Sequence, residues 1–125
     1  MMKKSGIILY SHGGALNMEL NIHFHKENNI LKVFIEGEID TFTAPKLRDE
    51  LEAIDIDSLV FIELDLSKVV YMDSTGLGVI VAIYKKVTRQ DGNLKLVGLS
   101  NRLERLFAIT GLSELMNIEA DVKVV

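Results

Sequence analysis

Leu59-Val60-Phe61-Ile62-Glu63-Leu64-Asp65-Leu66, followed by Tyr71-Met72-Asp73-Ser74-Thr75-Gly76-Leu77-Gly78, is the stretch on which the fold turns. The first eight residues are apolar except for Glu63 and Asp65, the mark of a central strand covered on both sides for most of its length. After the turn, Leu77, Ile80, Tyr84 and Val87 recur at helical spacing with Ile83 beside them, so residues 74–90 are expected as a helix with that stripe on the sheet. The turn itself puts a hydroxyl where free backbone N–H groups and the positive end of a helix dipole converge, a place that suits a phosphate. Any good helix start has the same form, because Asp and Ser are favoured N-caps worth roughly 1 kcal/mol. The turn alone does not choose between the two.

Upstream of this unit, Leu20, Ile22 and Phe24 alternate with Asn21, His23 and His25. After Glu27-Asn28-Asn29 the alternation resumes through Leu31, Val33, Ile35, Gly37 and Ile39, which reads as a β-hairpin with one buried face. Pro45 suits a first helical turn, and Leu47, Leu51 and Ile54 at i, i+4, i+7 predict a short amphipathic helix over 44–54. Downstream, Asp91-Gly92-Asn93 stops the long helix and 94–99 reads as a strand. Asn101 with Glu104 forms a plausible capping box for a helix presenting Leu103, Leu106 and Phe107 and stopping at about Thr110, before Gly111. Ile118, Ala120, Val122 and Val124 alternate with polar residues, predicting a last strand. The expected fold class is therefore α/β, a single domain with a mixed central β-sheet, parallel crossovers and helices packed on it.

The 125 residues hold no cysteine, and a net charge of −4 leaves no basic face for a phosphate backbone. Nucleic acid is not an expected partner, and the cytoplasm is the default compartment. Residues 7–10 are apolar, but four residues are too few for a signal peptide or a membrane span. Met18 is a plausible internal start, which divides the chain into an extension, 1–17, expected to pack as an added edge strand, and a domain, 18–125.

Most catalytic signals fail on inspection. Asp73-Ser74-Thr75-Gly76 is one residue too long for an aspartic-protease turn, there is no Gly-x-Ser-x-Gly elbow or P-loop, and Gly76-x-Gly78 lacks the third glycine of a dinucleotide fingerprint. His23 and His25 face one way on a strand, where an ordinary solvated face is the simpler account than a metal site. No cofactor is expected. On the helix after Ser74, the side away from the stripe carries Thr75, Gly78, Val79 and Ala82, which read equally as a seat for a neighbouring element or as a docking patch with a modifiable hydroxyl on its rim.

Taken together, Gly37-Glu38-Ile39-Asp40, Asp65-Leu66-Ser67, Met72-Asp73-Ser74-Thr75-Gly76-Leu77-Gly78, Arg105-Leu106-Phe107 and Gly111-Leu112 resemble the STAS family, the sulfate transporter and anti-sigma factor antagonist domains, over about 18–125. Within it the chain is most similar to the small, free-standing bacterial antagonists. The resemblance implies that Ser74 is the serine phosphorylated by a partner that is both anti-sigma factor and ATP-dependent kinase, and that the unphosphorylated form binds that partner and frees the sigma factor. It implies a substrate and binding protein, not an enzyme, with a phosphatase as a further partner and a monomer or weak dimer as its state. The partner-binding face would comprise Asp40, Thr41, Asp73, Thr75, Gly76, Gly78, Val79 and Ala82, with Thr75 a second hydroxyl beside the acceptor. The alternative expectation keeps the fold but makes the chain a non-switching scaffold or ligand-binding module of a sensory or lipid-transport assembly.

Overall fold

A computed structural model describes residues 20–55 and 61–120. The expected extension, 1–17, and the end of the expected last strand lie outside them. Among the described residues five strands run β1 (Leu20–Glu27), β2 (Ile30–Ile39), β3 (Phe61–Met72), β4 (Asn93–Leu99) and β5 (Asn117–Ala120), and they form one sheet in that same spatial order. β1 and β2 pair antiparallel as a hairpin, with Asn28 in the left-handed region that asparagine tolerates in a tight turn. Each later pair is parallel, joined through α1 (Ala44–Glu52), α2 (Ser74–Arg89) and α3 (Asn101–Ile109). The mixed sheet with helical crossovers is the architecture that the alternation of patterns predicts.

Because the three crossovers step in one direction across the sheet, their shared right-handedness carries all three helices to one face. That face holds the core: Ile22, Val33, Leu64 and Leu96 lie under Leu47, Ile80, Ile83 and Phe107, all fully or almost fully buried. Burying a side chain of this size contributes roughly 1.5–3 kcal/mol relative to leaving it in water. The alternate row His23, Phe34, Asp65, Val97 and Glu119, in register across all five strands, is half-buried or exposed. β3 is thus central in order, but among the described residues it is covered on one side and not on two. The polar residues Glu63 and Asp65 belong to the open side, where Lys95 pairs with Glu119 at 2.7 Å.

β3 also runs past Leu66, where its apolar alternation breaks. Ser67 donates its backbone N–H and its hydroxyl to Asp65 Oδ1, at 2.9 and 2.6 Å, and the pairing with β2 slips at this point. The break is a bulge, not a strand end. Pairing resumes with Lys68, and Val69 and Met72 return to the core.

α1 has Pro45 in its first turn, and Leu47 and Leu51 face the core. Lys86 of α2 donates to the carbonyls of Glu52 and Ile54 at 2.6 and 3.0 Å, so a cation closes the negative end of α1 and ties the two helices together. α3 starts one residue earlier than the capping box predicts. Its cap is Ser100, still in extended backbone at the end of β4, whose hydroxyl accepts from the Leu103 N–H at 3.2 Å. Gly111, with φ of +80°, ends it as expected.

Candidate functional site

β3 delivers the turn after Met72 to the edge of the sheet where the parallel strands end. Asp73 keeps extended backbone and its N–H donates to the Ile39 carbonyl at 3.2 Å, which holds the turn against the end of β2. Its Oδ1 accepts from the N–H groups of Thr75 and Gly76 at 2.9 and 3.2 Å, so Asp73 is the N-cap of α2. Ser74 is the first helical residue. It is exposed, and among the described residues its hydroxyl makes no hydrogen bond.

The division of labour between these neighbours has a measurable consequence. Asp73→Ala removes the cap and should cost about 1 kcal/mol, within the usual 0.5–2 kcal/mol range for N-caps. Ser74→Ala, one residue on, should stay within about 0.5 kcal/mol of the parent, as expected for an exposed position with no bond to lose. Denaturant unfolding of the two variants checks this, and equal losses would show that the caps had been assigned wrongly.

Gly76 is buried where a Cβ would lie 2.7 Å from Met72 Cγ and 2.8 Å from Ile39 Cγ2. Its absent side chain lets α2 descend onto β2 and β3, which sets the height at which Ser74 is presented. Gly78 is exposed, with open space around it.

Asp40 and Thr43 form a closed motif beside the turn. Asp40 Oδ1 accepts from the N–H groups of Phe42 and Thr43 at 2.9 and 3.1 Å, and the Thr43 hydroxyl donates to the Glu38 carbonyl at 2.7 Å. Asp40 retains only 7% of its accessible surface.

The geometry narrows the face expected from the sequence. Ser74, Thr41 and Gly78 are exposed, and Asp73, Thr75 and Ala82 are half-buried, so these groups can be touched from outside. Gly76, Val79 and Asp40, expected on the same face, are buried, with Asp40 keeping 7% and Val79 1% of their accessible surface. Val79 lies with Leu51 and Ile83 where α1 meets α2, so part of the small-residue side of α2 is a seat for α1. Gly76 and Asp40 shape the site from beneath. Phe42, which the sequence reading passed over, is 62% exposed on the loop that Asp40 organises. The signal available was an aromatic between two threonines in a short polar loop, a place where packing does not demand one.

Two grooves open on the surface, and the smaller of them adjoins the turn. One, of about 440 Å³, runs between α1 and α2 under Arg48, Lys85, Lys86 and Arg89. The other, of about 190 Å³, separates the end of β3 from α3. Among the described residues there is no group of three or more potential metal ligands and no helix long and apolar enough to cross a membrane.

A family model, the STAS domain, matches residues 21–124. The chain is 45% identical over 103 residues to the anti-sigma-B factor antagonist of Bacillus subtilis, covering 82% of this chain and 94% of that protein. It is 41% identical over 104 residues to the protein of the same name in Listeria monocytogenes, covering 83% and 90%. Among solved structures, an anti-sigma factor antagonist from Mycobacterium paratuberculosis superposes with a TM-score of 0.73 at 28% identity, covering 80% of this chain and 85% of that one.

Proposed function

The chain belongs to the STAS domain family, and from that premise we propose that it is an anti-sigma factor antagonist switched by phosphorylation of Ser74. Unphosphorylated, it binds an anti-sigma factor that is also a serine kinase and so releases the sigma factor. Phosphorylated, it lets go, and a phosphatase resets it. The protein acts in the cytoplasm as a binding protein and kinase substrate, and supplies no catalysis of its own. The relatives named as antagonists support the class of partner.

One observation carries the choice of Ser74: its hydroxyl is exposed and, among the described residues, unbonded at the first position of α2, while the capping role is filled by Asp73. A group with no structural duty can be esterified without unravelling the helix. The new phosphate, about −1.5 to −2 charges at neutral pH, meets the favourable end of the α2 dipole, and the half-buried Asp73 carboxylate opposes it. These effects act in opposite directions within one turn, so the fold tolerates the charge while the surface changes. Thr75 is the poorer acceptor, being half-buried.

Incubation of the pure protein with its cognate anti-sigma kinase and MgATP, followed by tandem mass spectrometry, should place one phosphate on Ser74. Modification elsewhere with Ser74 untouched would refute the assignment.

The groove under Arg48, Lys85, Lys86 and Arg89 favours a second reading, a module that binds an anionic ligand. A nucleotide or acidic lipid released from the purified protein on denaturation, and detected by mass spectrometry, would support it. Nothing released, with Ser74 phosphorylated, leaves the antagonist reading in place.

A further inference from the structure

Tyr71 and Met72, the residues that lead into the Asp73–Ser74 turn, are also one wall of the smaller groove. α3 supplies the other wall with Leu103, Leu106 and Ile109, spaced three residues apart along one side of the helix. Leu103 belongs to the core, but Ile109 is 75% exposed and Tyr71 43% exposed, so among the described residues the groove continues outward as uncovered apolar surface. Arg102 and Arg105 border the same groove and are exposed. Neither takes part in an ion pair among the described residues, and Glu104, between them in sequence, does not line the groove. Two guanidinium groups gathered beside apolar side chains are a local reversal of field in a chain of net charge −4.

We propose that this groove docks an apolar, acidic-flanked segment of the anti-sigma partner. Aliphatic side chains enter between Tyr71 and Ile109, and flanking carboxylates meet Arg102 and Arg105, a planar donor geometry suited to carboxylate. The inference rests on the antagonist reading and extends its interface from the turn onto α3. It also adds a route for the switch. A phosphate on Ser74, two residues beyond Met72, offsets the cationic field that draws the partner's carboxylates in.

The test is calorimetric titration of the purified kinase-type anti-sigma factor into the parent, Arg102→Ala/Arg105→Ala, Ile109→Ser and Ser74→Asp, each over a range of salt concentration. The arginine and isoleucine variants should each bind roughly tenfold more weakly, a loss of the size shown by the minority of interface residues that matter energetically. The double arginine variant should also show a flatter salt dependence, and circular dichroism should be unchanged because these side chains are exposed. Parental affinity and salt dependence in both variants, with Ser74→Asp still impaired, would overturn the groove and leave the antagonist reading intact. A parent that fails to bind under every condition overturns that reading, and the groove with it. Sedimentation of the parent and Ile109→Ser covers the other occupant: a dimer that Ile109→Ser dissolves, with binding to the anti-sigma factor retained, would assign the groove to a second copy and overturn the proposal.

Discussion

Ser74→Asp is expected to lower affinity for the kinase-type anti-sigma factor by roughly a hundredfold, about 2–3 kcal/mol, near the lower end of the cost of an unmatched charge in a desolvated interface. The lower end applies because a carboxylate carries a single charge and is smaller than the phosphate it imitates. The loss should belong to the interface and not to the fold. Position 74 is exposed at the start of α2, where a negative charge gains about 0.3–1 kcal/mol from the dipole. Asp73 sits next door and takes back part of that gain. The melting temperature should therefore barely move, and Ser74→Ala should bind like the parent while resisting phosphorylation. Titration calorimetry of the three proteins reads the effect, and an Asp variant that binds as tightly as the parent would remove the electrostatic basis of the switch.

Gly98→Ala should be strongly destabilising. Gly98 has φ of +77°, in the left-handed region that costs a residue with a Cβ roughly 1–2 kcal/mol. A Cβ there would also lie 2.8 Å from Ser67 Cβ and 3.0 Å from the Ser67 backbone nitrogen, at the bulge of the neighbouring strand. Ser67 is held by two hydrogen bonds to Asp65, so the bulge cannot easily retreat. Overpacking of this kind adds about 1–3 kcal/mol. The combined loss, about 2–5 kcal/mol, corresponds to a fall of roughly 8–20 °C in melting temperature for a domain of this size. Gly111→Ala is the control, since Gly111 has a similar φ but open space where its Cβ would go, and it should lose only the conformational part. Equal losses for the two variants in a thermal melt would mean that the close approach of β4 to the bulge carries no energy.

The hairpin, the amphipathic α1 and the long α2 were legible because each has a face with one partner, and a face writes its period into the chain. Two features of β3 were not. Ser67-Lys68 interrupts the alternation as a strand end would, and only the resumed pairing with β2 distinguishes a bulge from a stop. Likewise Glu63 and Asp65 looked like minor exceptions in a doubly covered strand, yet they point to the open face that one-sided crossovers leave.

The site divides along the same line. Residue type and order alone marked the Asp73-Ser74-Thr75-Gly76 turn as a helix start carrying a hydroxyl, since caps and dipoles are local. Which small residues of α2 lie under α1, and that Asp40 is sealed while Phe42 protrudes, were decided only by elements distant in sequence coming into contact. Burial is a property of neighbours, and a residue's neighbours across the sheet leave no period in its own stretch of chain.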